Sequence, residues 1–226
     1  MINFTFQSSF MSNTIQTPIS DLRSIRRLME RSRYFIGLSG LSGICAGLFA
    51  LLGIGLVVAY QWAAGNDLVF ISEDIVVNAA HPWGIAPIPF LVVTAFFVVV
   101  GAVIGGYYFT QRRARRLGYD MADAKTYKLL FNLALPLMVG GVFCLALVYH
   151  AIGGLIGPTT LVFYGLALIN GSNYASEELR ALGYIELSLG LVSLFFIGYG
   201  FYFWAVGFGL CHIGYGIWMY YKYDAA

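Results

Sequence analysis

Charge is scarce in this chain. Only 11% of its 226 residues are Asp, Glu, Lys or Arg, while 59% are hydrophobic. Soluble domains carry about 25% charged residues, so a water-facing globule of this length is excluded. Cysteine is rarer still. Cys45, Cys144 and Cys211 each sit inside an apolar run and no CxxC pair occurs. That removes the basis for a disulfide framework, a zinc site or a thiol redox motif, and leaves three small packing residues. Enzyme motifs are missing as well: there is no HExxH, no GxSxG, no GxxxxGK[ST] and no nucleotide fingerprint. The glycine-rich stretches lie within apolar runs, where they have no phosphate to cradle. The residues offer no starting point for an enzyme and imply no cofactor.

What the chain does have is long apolar runs, and they predict an all-α, polytopic membrane protein whose main partner is the lipid bilayer. Six spans are expected, over about 34–62, 87–110, 129–150, 155–170, 182–197 and 201–221. The fourth and fifth fall short of the roughly 20 residues that usually cross a bilayer. The first run begins near Tyr34, too late and too long for a signal peptide, and reads as a retained span. The domain plan is a cytoplasmic arm over 1–33, a six-helix transmembrane domain over 34–221 and a cytoplasmic tail over 222–226. In the arm, Thr17-Pro18 opens a helix in which Ile19, Leu22, Ile25, Leu28 and Met29 alternate with Arg23, Arg26, Arg27, Arg31 and Arg33. This is a basic amphipathic helix for the membrane face or the bundle. One short basic helix fused to a span is a poor nucleic-acid binder, and none is expected.

The basic residues also orient the chain. All thirteen Lys and Arg fall in the arm, in 111–128, in 171–181 or at the C-terminus; the loop over 63–86 has none and holds Asp67, Glu73 and Asp74. By the positive-inside rule both termini face the cytoplasm, as in a bacterial inner membrane. The basic face is a candidate surface for a protein partner. The two three-span halves show no repeat, so an inverted-repeat transporter is unsupported.

Two sets of residues stand out inside the spans. Gly40, Gly43 and Gly47 share one helical face, and Gly101 and Gly105 repeat the GxxxG spacing. Such faces admit a second backbone, either within the chain or across a homo-oligomer seam. The other set is Glu186 and His212, each thirteen residues from Tyr199. An antiparallel hairpin places them at one depth, in the cytoplasmic half of the bilayer, with Asn132, Asn170 and Tyr184 in the same polar layer. Ionisable groups there are costly and face the interior. They suit either a structural hydrogen bond or a proton or ligand site. His81 and His150, with the loop carboxylates, have no metal-ligand spacing, so no metal site is assigned. His150 and His212 differ in depth by about 18 Å at 1.5 Å per residue, too far to share a haem iron.

The run Leu22-Arg23-Ser24-Ile25-Arg26-Arg27-Leu28-Met29-Glu30-Arg31-Ser32, with Phe35 to Gly43 after it, resembles a group of uncharacterised small multi-pass membrane proteins of Bacteroidota. Phe203 to Gly209 and His212 to Gly216 are similar to the same group. The resemblance implies no assigned activity or site residue. Members of the group are often encoded beside a small winged-helix regulator, which implies a sensing or regulatory association. The functional expectation is a non-enzymatic integral membrane protein of sensing, regulatory or assembly type. The alternative is a small transporter or channel using the Glu186/His212 layer.

Overall fold

A computed structural model describes residues 39–65, 81–118 and 123–224. The expected amphipathic helix over 17–33 and the loop carboxylates Asp67, Glu73 and Asp74 lie outside these residues. The described residues form six helices and no strand: α1 (Gly40–Ala63), α2 (Pro87–Leu117), α3 (Ala124–Tyr149), α4 (Ile156–Ser172), α5 (Glu177–Ser193) and α6 (200–224). Four helical segments are each long and apolar enough to cross a membrane: Gly40–Ala63, Pro87–Leu117, Ala124–Tyr149 and Gly153–Ser172. α5 does not reach that standard alone. It has 17 residues and carries Glu177, Glu178, Arg180 and Glu186. α6 is divided internally, with π-type turns over Ala205–Cys211 and Tyr220–Asp224 separated by α-helix over His212–Met219.

Local chemistry explains the helix ends. α2 opens with Pro87 in its first turn, where a missing N–H costs nothing. It stops at Gly118, whose left-handed φ of 69° lets its N–H return to the Ala114 and Arg115 carbonyls. The Ser176 hydroxyl accepts from the Leu179 N–H at 3.3 Å to cap α5, and Glu177 and Glu178 lie at the positive end of its dipole.

Without an apolar–water contrast between helices, packing inside a membrane depends on how closely backbones approach. Two glycine crossings carry this bundle. In the first, α1 meets α6: a side chain at Gly40 would strike Tyr220 and the Gly216 carbonyl, and one at Gly47 would strike Ile213 and the Gly209 carbonyl. The Gly40/Gly43/Gly47 face is thus filled by α6 of the same chain and is not open to a second copy. In the second crossing, Gly165 of α4 lies against the Leu187 N–H and the Gly183 carbonyl of α5, and Gly190 lies against Val162. Gly101 and Gly105 use a different face of α1, receiving Phe49 and Cys45. α2 packs on α1, α3 on α4, and α6 joins α1 to the α4–α5 pair. The outer flanks of α2 and α3 are apolar and open, as with Phe96 at 69% and Met138 at 70% exposure. Such a surface suits acyl chains.

The glycines of α6 supply a matched test. Nothing lies within 4 Å of a side chain added at Gly214, whereas one at Gly216 meets the Ile44 N–H and Gly40 carbonyl. Gly216→Val is expected to cost about 1–3 kcal/mol through overpacking, read as a lower melting temperature in detergent. Gly214→Val should melt close to wild type. Equal melting of the two variants would refute the α1–α6 crossing.

Candidate functional site

Three helices bring one polar side chain each to a common centre. Tyr164 stands eight residues from either end of α4. Glu186 stands nine residues from the start of α5 and seven from its end. His212 stands twelve residues from either end of α6. The centre therefore lies near the middle of all three helices. The turn before α6 begins already at Leu194, ahead of Tyr199, and α6 continues past Tyr221.

Glu186 and His212 touch. His212 Nδ1 lies 3.2 Å from Glu186 Oε1 and 3.1 Å from the Gly207 carbonyl oxygen. Both neighbours of Nδ1 are acceptors, so the network places a hydrogen on that nitrogen. Its geometry favours the carbonyl, and both Glu186 oxygens are left without an aligned hydrogen bond. The 3.2 Å contact is thus electrostatic proximity rather than a completed bond. On the far side of the ring, Nε2 lies 2.7 Å from the Tyr164 hydroxyl. In the neutral imidazole that hydroxyl donates to Nε2. Phe208 stacks near the ring, with centroids 5.9 Å apart.

Backbone shape makes this arrangement possible. The π-type turn over Ala205–Cys211 sets His212 against the carbonyl five residues earlier. Such insertions mark functional positions in many helices. Gly207 has no side chain because Glu186 and Leu161 occupy the space one would need. The site is dry: Glu186 is 0% and His212 5% exposed. An ionised carboxylate in such surroundings loses several kcal/mol of hydration, and one shared N–H does not restore it.

The other expected members of the layer lie elsewhere. Tyr184 is 55% exposed and lines an open groove on the outer face of α5 with Ile185, Ser188, Leu189 and Val192. Asn132 and Asn170 form a separate link. Pro136 inside α3 has no N–H, which orphans the carbonyl four residues earlier. That carbonyl belongs to Asn132, and the Asn170 side chain donates to it at 3.0 Å. Tyr164 is the participant that sequence reasoning missed. A tyrosine in an apolar span carries no distinguishing signal when nothing in the pattern ties α4 to α6. His150 is exposed beside Tyr149, and among the described residues no group of three or more His, Cys, Asp or Glu side chains is placed to hold a metal.

A second cluster ties the helix ends on the other side of His212 from the α5–α6 turn. Lys222 of α6 donates to Glu178 Oε1 at 2.5 Å, and the Tyr223 hydroxyl donates to the same oxygen at 2.9 Å. The Arg113 guanidinium of α2 lies 5.9 Å from the Tyr223 ring centroid. Burial pushes the Glu178 carboxyl up, but the bonds from Lys222, Tyr223 and Ser176 outweigh it and hold the group down at about 2. A depressed carboxylate lends stability above its unfolded value and loses it as pH falls through the folded one. Wild type should therefore lose melting temperature between the ordinary glutamate range and about pH 2 more steeply than Glu178→Gln. Parallel curves would remove Glu178 from the stability balance.

The proline repair gives a sharper test. Asn170→Leu should cost about 1 kcal/mol by leaving a part-buried carbonyl unpaired. In a Pro136→Ala background, where the helix regains its own N–H, the same change should cost clearly less. A double-mutant cycle with zero coupling would show that the two residues act independently.

No protein family matches the chain, and neither a characterised protein nor a solved structure is detectably similar to it.

Proposed function

We propose that this is a non-enzymatic, multi-pass protein of the bacterial inner membrane, with both termini cytoplasmic, that senses or regulates through its Tyr164/His212/Glu186 centre. The observation that carries this reading is the burial of an incompletely bonded carboxylate–imidazole contact at the middle of three helices. A group so placed acts on packing: any change in its charge or hydrogen bonding alters how α4, α5 and α6 fit. The absence of water contact at Glu186 supports a sensor over a conducting path. The alternative, a small transporter or channel, draws on the two unpartnered oxygens of Glu186, which have room in their bonding for cargo. The basic residues at the ends of α2 and α3, including Arg115, Arg116, Lys125 and Lys128, suit a cytoplasmic partner or anionic headgroups.

Two measurements test this. Purified protein in sealed liposomes loaded with a pH-sensitive dye should pass protons no faster than protein-free vesicles. A flux abolished by Glu186→Gln would replace the sensor reading with the transporter one. For topology, a membrane-impermeant thiol reagent should label Ser72→Cys on intact spheroplasts and Asp123→Cys only after lysis. Labelling of both from outside would sink the orientation.

A further inference from the structure

Eight of the thirteen Lys and Arg side chains belong to the described residues, and they divide into two groups. Three are engaged by the protein. Lys222 donates to Glu178 Oε1. Arg180 donates to the Ser172 hydroxyl at 3.0 Å and to the Asn173 side-chain oxygen at 3.1 Å. Arg113 lies over the Tyr223 ring. The other five are Arg112, Arg115, Arg116, Lys125 and Lys128. All are exposed, and among the described residues none makes a hydrogen bond or an ion pair. Every one of them belongs to the end of α2 or the start of α3. Asp123 is the carboxylate described between them.

The helix faces that lead away from these cations are apolar and open. On α2, Phe97, Ile104, Tyr108 and Arg115 follow at spacings of seven, four and seven, which keeps them on one side of the helix. On α3, Lys128, Leu135 and Val139 share a side in the same way. All five of these apolar and aromatic side chains are exposed. Arg115 stands eleven residues from Ile104, and Lys128 eleven from Val139, about 16 Å in each helix at 1.5 Å per residue. That depth is one leaflet of a hydrocarbon core roughly 30 Å thick. α2 packs on α1 and α3 on α4, and neither packs along the other. Seven Cα steps join Leu117 to Ala124, at most about 25 Å, so both sets of cations border one headgroup region.

We propose that the joined ends of α2 and α3 bind an anionic phospholipid, with its phosphate among the five cations and its acyl chains along the two open faces. Charge complementarity selects the headgroup. Five cations against Asp123 leave an excess that no protein group meets, and guanidinium pairs well with phosphate oxygens. Continuity selects a lipid over a soluble partner: cations and apolar faces form one surface, and a water-soluble protein does not follow it into hydrocarbon. This inference rests on the reading of the basic face as cytoplasmic, the side where anionic lipids attract clustered Lys and Arg.

Native mass spectrometry of the full-length protein in detergent tests it, with phosphatidylglycerol and phosphatidylcholine of equal chain length added together. Phosphatidylglycerol should be retained preferentially, and rising ionic strength should weaken the preference. Arg115→Gln/Lys128→Gln should lower its affinity roughly thirtyfold, about fivefold per cation. The lipid-free melting temperature should stay at the wild-type value, because neither side chain has a protein partner. Arg180→Gln/Lys222→Gln removes the same charge from engaged residues and should keep the lipid preference. Equal weakening by the two double variants would reduce the effect to net charge and overturn the site. Equal retention of both lipids by wild type would also overturn it and leave the cations to a protein partner. Displacement of the lipid by inorganic phosphate at the same concentration would assign them to a free anion instead. Detergent micelles have no sides, so reversed thiol labelling would refute the cytoplasmic reading and leave the lipid site standing.

Discussion

A carboxylate and an imidazole in contact where water does not reach constrain everything around them. Glu186 is fully buried, and His212 at 3.2 Å offsets part of that cost. His212 is held there by two hydrogen bonds, to the Gly207 carbonyl and the Tyr164 hydroxyl. Each requirement lands on a different helix. α6 must widen into a π-type turn to present its own carbonyl, position 207 must lack a side chain, and α4 must bring an aromatic hydroxyl to the same depth. Leucines at 186 and 212 would relax these demands and cost little, since buried ion pairs are often replaceable by apolar residues.

The glycine crossings follow from the same demand for proximity. α4 and α5 meet backbone to backbone at Gly165 and Gly183, which lets the short Glu186 side chain end between α4 and α6. α1 then closes α6 from another side through Gly40, Gly43 and Gly47. α2 and α3 are excused from this closeness. They pack on one neighbour each, through Phe49 against Gly101 and Phe163 against Gly140, and leave their remaining faces to the surroundings.

Much of this fold is legible in the sequence, because runs of apolar residues and the confinement of Arg and Lys respond to bulk solvent rather than to particular neighbours. The six helices fall where the apolar runs lie, though α2 runs on to Leu117 and α5 spans Glu177–Ser193 rather than 182–197, and the equal distances of Glu186 and His212 from one turn permit their contact without ensuring it. Partner choice is another matter. GxxxG spacing says that a backbone approaches and not which one, so α6 as the partner of α1 is invisible until the bundle closes. The polar layer fails for a similar reason: Tyr184 is two residues from Glu186 and therefore on the opposite side of α5, and helix rotation decides which one faces inward. Pro136 and Asn132 do contain a readable signal, since the four-residue offset names the orphaned carbonyl. Asn170 as its donor needs the α3–α4 packing.

The two polar contacts in the apolar part of the molecule illustrate opposite uses of one rule. Asn170 repairs a known deficit: the carbonyl it meets has lost its N–H to Pro136, and after the repair nothing further is gained by moving a proton or a side chain. Such a contact has one good state, and its physical meaning is exhausted by stability. The Glu186 centre is built with one N–H facing two acceptors. In the arrangement seen, the Gly207 carbonyl takes the hydrogen and both carboxylate oxygens are left without a partner. The network is not closed, so it lacks the large margin that a fully satisfied one has. A buried site with an open acceptor is what a small input, such as one proton, is able to tip. The residual deficit at Glu186, which would be a flaw in a purely structural contact, is the property that separates this centre from the Asn170 repair.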